Sequence, residues 1–313
     1  MTGSVLCLVG PTGVGKTELA FRLAQPLGAE IISCDSMQVY RGMERLTQAP
    51  PTAMRQAVPH HLVACIEPEE TYNAARYARE AGAVVRELLG RGTTPLVVGG
   101  TGLYLRALLD GVSEAPPADE AVRRGLTDEA EAGGNAALHA RLQGVDPQAA
   151  AKIHVNDRRR IIRALEVYTV TGRPLSQQWD RRGGLAHELP VTVVALNRPR
   201  AELYARLDRR VERMVADGVV EEVGRLRQRK LSVTAAQALG LKEFGGALDG
   251  AYDLSEAVRR VQTAMHAYAR GQLTWFRADA RLRWFELTDE ASVELAVEAI
   301  LERSHGTSAA RHG

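Results

Sequence analysis

Cysteines, aromatic residues and long apolar runs are all scarce in this sequence of 313 residues. The three cysteines form no C-x-x-C pair, and Cys7 and Cys34 lie in apolar runs, so we interpret them as buried thiols in a reducing compartment. Aromatic residues make up 5% of the chain, which predicts a core of Leu, Val and Ala. No apolar run is long enough for a membrane span and no signal-peptide pattern is present, so we expect a cytoplasmic protein without membrane contact.

Two kinds of catalytic pattern are also missing. The pair His60-His61 has no third ligand at a metal-binding spacing, and the other histidines are isolated, which argues against a transition-metal site. Ser36 and Cys34 have no partners in a Ser/His/Asp arrangement, so covalent hydrolase chemistry has no support.

An overall charge of one sign is missing as well, since the formal net charge is only +2. The charge is unevenly placed, because residues 151–182 and residues 259–283 each carry an excess of five positive charges. Such patches fit either a polyanionic partner on one face or two solvated helix faces, and charge alone does not separate these interpretations.

The sequence does contain a phosphate-binding loop near its start. The motif G-x-x-x-x-G-K-[ST] lies between an apolar run at 5–9 and a helix-forming run at 18–27, which is the context that the motif requires. Its residues are Gly10, Pro11, Thr12, Gly13, Val14, Gly15, Lys16 and Thr17. Backbone N–H groups and the helix start would surround a di- or triphosphate, Lys16 would reach its terminal phosphate, and the Thr17 hydroxyl would ligate Mg²⁺. The loop does not specify which polyphosphate is bound.

The first hundred residues alternate between strand-like and helix-like runs, which predicts an α/β fold with a parallel sheet flanked by helices. Strands are expected at 5–9, 30–34, 95–98 and 189–196, and helices at 103–109 and at 71–89, the latter capped by Thr71. Because ligands of such folds bind at the carboxyl ends of the strands, the phosphate loop, Asp35 and Thr101 are expected to converge.

The pattern changes after Ser113, where a charged helical stretch without a convincing strand begins. We therefore predict a discontinuous core domain of residues 1–113 and 189–303, a helical insertion at 114–188, and a disordered tail at 304–313.

Two polar positions follow strands near the phosphate loop. Asp35 ends the run Ile31–Cys34, and a carboxylate there holds Mg²⁺ or acts as a general base in many phosphate-loop enzymes, whereas the plainer interpretation is a turn residue. Thr101, in Gly99–Gly102, offers a hydroxyl and an N–H, although by itself it is better explained as the cap of a tight turn.

Two further segments carry arginines in patterns suited to RNA. Asn156–Glu166 puts Arg159 and Arg163 on one helix face, which suits either a phosphate backbone or plain solvent exposure. Gly271–Arg277 places adjacent aromatic residues between arginines, and such residues stack on bases, although Trp275 and its neighbour fit a core role at least as well.

Together these motifs resemble the bacterial tRNA dimethylallyltransferases over nearly the whole chain. The most specific match is the run Asp35–Tyr40 after a phosphate loop, which ordinary kinases lack. Further matching segments are Arg41–Met43, His60–Leu62, Val97–Tyr104, Asn156–Glu166, Gly240–Glu243 and Gln272–Phe276. The resemblance implies a P-loop NTPase-like core and the transfer of a dimethylallyl group from its diphosphate to N6 of adenosine-37 in tRNA.

The resemblance also assigns residues by matching position. It implies that Asp35 is the general base, that Thr101 contacts it, and that Gly10–Thr17 binds the diphosphate with Mg²⁺ on Thr17. Arg210 matches an arginine at the leaving diphosphate, with Arg209 and Arg213 as rivals in register. The positions implied for the tRNA anticodon stem-loop are Asp35, Ser36, Met37, Gln38, Thr101, Arg123, Arg159, Arg160, Ile161, Ile162, Arg163, Gln272, Trp275 and Arg277. A monomer is expected, with tRNA and dimethylallyl diphosphate as its partners.

The chain departs from the family pattern at two places. The segment Leu46–Pro50 lacks the family's lysine, and Gly271 replaces an arginine, which weakens or reshapes the expected tRNA contact. Three other functions stay open: a small-molecule or nucleotide kinase that uses ATP through the same loop, an isopentenyltransferase acting on free adenylate, and an RNA-binding protein with a vestigial phosphate loop.

Overall fold

The computed structural model describes residues 3–112, 116, 118–178 and 183–309. The chain divides into two compact units, a discontinuous one of Met1–Leu109 with Leu185–Gly313 and a continuous one of Asp110–Gly184. From the sequence we placed the two boundaries after residues 113 and 188. The larger unit contains the sheet, and the described part of the smaller unit contains helices but no strand.

A six-stranded sheet forms the centre of the larger unit, and all of its strand pairs are parallel. Its strands are β1 (Val5–Val9), β2 (Ala29–Cys34), β3 (His60–His61), β4 (Thr94–Gly99), β5 (Val191–Asn197) and β6 (Arg283–Glu286). Their order across the sheet is β3-β2-β4-β1-β5-β6. The prediction of an α/β fold with a parallel sheet is therefore confirmed.

The central strands form because they are short apolar runs. β1 reads VLCLV and is buried along its whole length, as expected for a parallel strand that is covered on both faces. Sequence reasoning missed the two edge strands, β3 and β6. β3 has only two residues, and β6 reads RWFE with three of its four residues exposed, so neither offers an apolar run to detect.

Helices make up most of the remaining described chain. They are α1 (Lys16–Ala24), α2 (Glu44–Thr47), α3 (Thr52–Ala57), α4 (Ala74–Gly90), α5 (Gly102–Asp110), α6 (Glu120–Val145), α7 (Pro147–Lys152), α8 (Arg158–Thr171), α9 (Leu185–Glu188), α10 (Arg200–Ala216), α11 (Val219–Leu226), α12 (Leu241–Leu248), α13 (Leu254–Arg277) and α14 (Glu290–Ala309). Within the described residues, no helix combines the length and the apolar content that crossing a bilayer requires.

Two helix ends differ from the prediction. α4 is capped by Asn73, whose side chain accepts a hydrogen bond from Arg76 N at 2.9 Å, so the predicted cap at Thr71 was wrong. α14 continues through residues 304–309, which we had assigned to a disordered tail. Extending an existing helix costs far less than starting one, so polar residues there continue it. Residues 310–313 of that tail lie outside the described part of the chain.

The core of the larger unit is mostly aliphatic, as the composition predicts, but tyrosines are among its largest fully buried side chains. The Tyr40 hydroxyl lies 2.6 Å from Thr234 Oγ1, and the Tyr72 hydroxyl donates to Glu80 at 2.8 Å. These partners allow a polar ring substituent to be buried without losing a hydrogen bond.

The smaller unit has an apolar core of its own, which includes Leu138, Leu142 and Leu165 from α6 and α8. α6 is interrupted at Gly134, whose φ of 78° lies in the left-handed region that glycine adopts without strain. The smaller unit therefore has the independent core expected of a folded insertion.

Candidate active site

Three strand ends meet in one row at the carboxyl edge of the sheet. Val9 of β1 pairs with Gly99 of β4, and Gly99 pairs with Cys34 of β2. The phosphate loop and Asp35 therefore begin on either side of the loop that follows β4. Because adjacent strands are about 4.8 Å apart, the two segments start about 10 Å from each other, which agrees with the predicted convergence.

Close packing explains the glycines around Thr101. A Cβ at Gly99 would lie 2.0 Å from the Cys34 carbonyl oxygen, and one at Gly102 would lie 2.1 Å from the Trp275 ring. Both distances are far below any van der Waals contact, so neither position tolerates a side chain without displacing its neighbour. The glycines hold Thr101 directly against the end of β2, where its N–H donates to the Cys34 carbonyl at 3.2 Å.

The phosphate loop is held in shape from inside by its own lysine. Lys16 Nζ donates to the carbonyl oxygens of Gly10 at 2.9 Å and Pro11 at 2.8 Å. These bonds place the ammonium inside the loop, at the start of α1, where a diphosphate would meet both its charge and the helix N-terminus.

Two arginines hold the outer side of the loop. Arg206 Nε donates to the Gly13 carbonyl at 2.9 Å, and Arg198 Nε donates to the Val14 carbonyl at 2.8 Å. Sequence reasoning missed both residues, because neither lies in a motif and their partners are almost two hundred positions away. With the loop carbonyls occupied by donors, the loop is fixed before any ligand arrives.

Gln272 bridges the phosphate loop and the loop after β4. Its Oε1 accepts from Thr12 N at 2.8 Å, and its Nε2 donates to the Gly100 carbonyl at 2.8 Å. The side chain is only 8% exposed. Gln272 is predicted to contact tRNA, and in this structure both ends of its amide are used and the side chain is shielded from solvent. Gln272 instead fixes the distance between the two loops.

Of the three arginines that the sequence offers for the diphosphate, Arg210 is the one hydrogen-bonded to the phosphate loop. Its Nη1 donates to Thr12 Oγ1 at 3.0 Å. Beside it lies a cavity of about 600 Å³, lined by Gly13, Glu18, Arg206, Arg209, Arg210, Glu212, Arg213 and Ala216. Its rivals Arg209 and Arg213 thus face the same cavity, but Arg210 is the one hydrogen-bonded to the loop. The concentration of guanidinium groups makes this cavity attractive to a diphosphate.

Burial and then the charge of Arg210 lower the pKa of the Lys16 ammonium to about 8, while Asp35 opposes the shift. The opposing effect of Asp35 is electrostatic and reflects its proximity to Lys16. Lys16 is therefore charged below about pH 8 in the empty site and loses its charge as the pH rises through that value.

We expect the affinity for inorganic diphosphate in the presence of Mg²⁺ to fall as the pH rises above about 8, because binding must then protonate Lys16. Titration calorimetry between neutral and alkaline pH measures this dependence. Lys16→Arg is the control, since its guanidinium stays charged and any remaining pH dependence comes from the ligand. Equal pH dependence in the two proteins would contradict the assignment.

Asp35 and Thr101 organise the turn that follows β2. Asp35 Oδ1 accepts from Met37 N at 2.8 Å and from Gln38 N at 3.3 Å. Thr101 Oγ1 accepts from Ser36 N at 3.1 Å. Thr101 therefore contacts the turn beside Asp35, and it holds the carboxylate in place through that turn.

Oxygen donors beside the phosphate loop fit a magnesium ion. Thr17 also lines a cavity of about 30 Å³, whose other lining residues are Ala20, Ile31, Ser33, Gln38, Pro50, His60 and Val98. No group of three or more His, Cys, Asp or Glu side chains at metal-binding distance occurs among the residues that the structure describes. Mg²⁺ commonly takes one or two protein oxygens and completes its shell with phosphate oxygens and water, so Thr17 suits it.

Other residues of the turn have structural partners. Gln38 Nε2 donates to the Gln48 carbonyl at 3.2 Å, and its Oε1 accepts from Ser33 Oγ at 3.2 Å. Met37 is half-buried and packs against the core. The turn is thus held on one side by Gln48, which belongs to the segment Leu46–Pro50 that departs from the family pattern.

Trp275 and Arg277 differ in their surroundings. The Trp275 ring packs on Gly102, and the Arg106 guanidinium lies 4.4 Å from its centroid, so much of the ring is used in packing. Arg277 is exposed and lines a cleft of about 360 Å³ together with Arg200 and Arg270. Arg277 is therefore exposed among other arginines, and its contact with tRNA stays a prediction.

The basic helix α8 has one exposed and one buried face. Arg159 and Arg160 are exposed, and the Arg160 side chain retains 67% of its accessible surface. Ile161 is fully buried in the core of the smaller unit and Ile162 is half-buried. Ile161 is predicted to touch tRNA, and in this structure its side chain belongs to the core of the smaller unit.

The other two predicted arginines of the smaller unit neutralise a buried carboxylate. Glu166 is fully buried, Arg163 Nη1 donates to its Oε2 at 2.7 Å, and Arg123 Nε lies 3.0 Å from its Oε1. Arg163 also donates to the Pro116 carbonyl at 2.8 Å. Removing one partner of such a buried pair destabilises a fold, so these arginines have a structural role whether or not they meet RNA.

The parallel sheet, the phosphate loop at its carboxyl edge and the carboxylate two strands away define a P-loop enzyme. The chain belongs to the IPP transferase family, whose model matches residues 38–279. A model described as isopentenyl transferase also matches residues 3–53.

Curated relatives are similar over most of their length. The tRNA dimethylallyltransferase of Geobacter sulfurreducens is 44% identical over 284 residues, which cover 90% of this chain and 91% of the relative. That of Halorhodospira halophila is 46% identical over 282 residues, which cover 88% of this chain and 91% of the relative. These relatives support the assignment of the chain as a prenyl-transferring enzyme.

Two solved structures share the P-loop NTPase-like fold. The tRNA isopentenylpyrophosphate transferase of Bacillus halodurans is 36% identical with a TM-score of 0.71, and all of both chains is covered. A eukaryotic dimethylallyltransferase acting on tRNA is 28% identical with a TM-score of 0.77, covering 93% of this chain and 75% of that chain.

Proposed function

We propose that the protein transfers the dimethylallyl group of dimethylallyl diphosphate to N6 of adenosine-37 in tRNA and releases diphosphate. The activity named for relatives that are 44% and 46% identical supports this proposal. The observation that carries it is the position of Asp35, which follows β2 in the same row as a loop shaped for a diphosphate. An exocyclic amine is a weak nucleophile, so its attack needs a base close to the departing group.

The transfer forms one bond and breaks another. N6 bonds to the allylic carbon, the bond from that carbon to the diphosphate oxygen breaks, and the electron pair leaves with the diphosphate. Lys16 and Arg210, both held against the phosphate loop, stabilise the charge that develops there. Asp35 accepts the N6 proton through Oδ2, because its Oδ1 already accepts two backbone N–H groups.

Thr17 would hold Mg²⁺ together with oxygens of the diphosphate. When bound there, the ion would add positive charge at the leaving group. Thr17 follows Lys16 in the first turn of α1, at the end of the phosphate loop, which supports this assignment.

The adenine must leave its stack in the anticodon loop before its amino group can reach Asp35. Exposed arginines are suited to hold the phosphate backbone meanwhile, and we assign this role to Arg159, Arg160 and Arg277. The active site thus recognises the neutral adenine. The exposed arginines recognise the negatively charged phosphate backbone.

The test is a mass measurement on unmodified tRNA incubated with the protein, Mg²⁺ and dimethylallyl diphosphate. A tRNA with adenosine at position 37 is expected to gain one C5H8 unit, and the same tRNA with guanosine there is expected to gain none. Parallel reactions replace tRNA with AMP, or dimethylallyl diphosphate with ATP. Modification of AMP alone, or ATP consumption without modified tRNA, would overturn the proposal in favour of an adenylate prenyltransferase or a kinase.

Arg160→Ala is expected to weaken tRNA binding and to reduce the slope of log affinity against log salt by about one, as loss of one phosphate contact does. Arg86→Ala is the control, because Arg86 is exposed on α4 and pairs with Glu188 on the surface. Filter binding at several salt concentrations measures both variants. An unchanged slope for Arg160→Ala would remove that residue from the RNA interface.

A further inference from the structure

Tyr268 is a large aromatic residue of the active-site edge to which no role has been given. It lies on α13 and keeps 41% of its accessible surface. Its hydroxyl lies close enough to the Thr101 side chain to interact with it. Thr101 in turn accepts the Ser36 N–H beside Asp35. A partly exposed aromatic side chain therefore lies beside the residue that orders the turn around the carboxylate.

The position of Tyr268 along α13 is fixed by Gln272. The two residues are four positions apart, so they lie one above the other on the same face of the helix. Gln272 is hydrogen-bonded to both Thr12 N and the Gly100 carbonyl, which locks this face of α13 against the two loops of the site. Tyr268 thus belongs to a rigid element and is not carried by a free loop.

The chemistry of the hydroxyl indicates a positioning role. Burial and then the charge of Asp35 raise the pKa of Tyr268, so the phenol stays neutral and does not act as a second base. With 41% of its accessible surface retained, Tyr268 leaves part of its side chain open to a ligand. The charge of Asp35 acts on the phenol, so this side chain lies near the carboxylate to which the purine must bring its amino group.

We propose that the ring of Tyr268 stacks on the extruded adenine and so holds its amino group in line with Asp35. This inference rests on the proposed function. Flipped or unpaired bases are commonly held on aromatic side chains, whose π-face accepts any purine without hydrogen bonding. Asp35 and Thr101 then address the amino group, while Tyr268 sets the plane and position of the base.

Two substitutions separate the ring from the hydroxyl. Tyr268→Phe keeps the ring and is expected to retain most of the wild-type kcat/KM for tRNA. Tyr268→Leu removes the ring and is expected to lower that kcat/KM by about 10- to 100-fold, the usual cost of one base–aromatic stack. The affinity of both variants for inorganic diphosphate is expected to stay at the wild-type value, because the phosphate loop is untouched. A Phe variant as impaired as the Leu variant would overturn the proposal in favour of a role for the hydroxyl.

A second readout does not depend on catalysis. An anticodon stem-loop with 2-aminopurine at position 37 lacks the reactive amino group, and its fluorescence is quenched when the base stacks. The complex with Tyr268→Leu is expected to be brighter than the wild-type and Tyr268→Phe complexes. Equal fluorescence in all three complexes would overturn the stacking proposal even if the wild type prenylates tRNA. Failure of the wild type to prenylate any tRNA would instead reject the proposed function, and this inference with it.

Discussion

Replacing Asp35 with asparagine is expected to lower kcat by about 10²- to 10⁴-fold, the range that loss of a general base costs. Asparagine keeps an oxygen where Oδ1 accepts the Met37 and Gln38 N–H groups, so the turn after β2 is preserved. The amide cannot accept the proton that N6 releases. Single-turnover rates at saturating tRNA and dimethylallyl diphosphate measure the effect, and tRNA affinity is expected to stay at the wild-type value.

Two comparisons isolate the chemical effect at Asp35. Asp35→Ala loses both the base and the turn contacts, so a rate below that of the asparagine variant would measure the contribution of the turn. Asp249→Asn is the matched control, because Asp249 pairs with Arg227 on the surface and its charge is remote from the reaction. Full turnover by Asp35→Asn would show that another group accepts the proton.

Replacing Lys16 with methionine is expected to lower kcat/KM for dimethylallyl diphosphate by about 10²- to 10³-fold, as loss of one preorganised charge at a developing anion does. Lys16 Nζ lies inside the loop against Gly10 and Pro11, so no other cation of the loop itself replaces it. Steady-state kinetics with varied dimethylallyl diphosphate measures the loss. The effect is expected on diphosphate binding and on kcat, with the KM for tRNA unchanged.

Two measurements show whether Lys16→Met loses activity because the protein unfolds or because the positive charge is gone. Burying the Lys16 charge opposes folding, since burial lowers the pKa of the ammonium to about 8, so the methionine variant is expected to remain folded in circular dichroism. Lys16→Arg keeps a positive charge and is expected to retain more activity than Lys16→Met. Wild-type affinity for diphosphate in the methionine variant would contradict the role given to Lys16.

The fold was accessible from the sequence wherever local signals were strong. The apolar runs of β1, β2, β4 and β5 predicted four of the six strands, and the motif between β1 and α1 predicted the phosphate loop that connects them. The edge strands β3 and β6 were missed because their residues are few or exposed, and backbone pairing with a neighbour defines them. The extent of α14 was missed because polar residues at a helix end carry no periodic signal.

The site was accessible only in part, because several of its contacts join distant positions. Gln272 belongs to a motif segment, but only the packing of α13 shows that its amide is turned inward to Thr12 and Gly100. Arg206 and Tyr268 lie in long helices among other polar residues, and the face that each helix turns toward the sheet is a tertiary property. A motif therefore identified which segments form the site, and three-dimensional packing decided which side chains enter it.

The most direct test of the central claim is a crystal structure of the protein with Mg²⁺, an anticodon stem-loop and an unreactive thio analogue of dimethylallyl diphosphate. The account predicts the diphosphate within hydrogen-bonding distance, about 3 Å, of Lys16 Nζ, and N6 of adenosine-37 at the same distance from a carboxylate oxygen of Asp35. A diphosphate held outside the loop of Lys16, or an adenine amino group facing a residue other than Asp35, would contradict it.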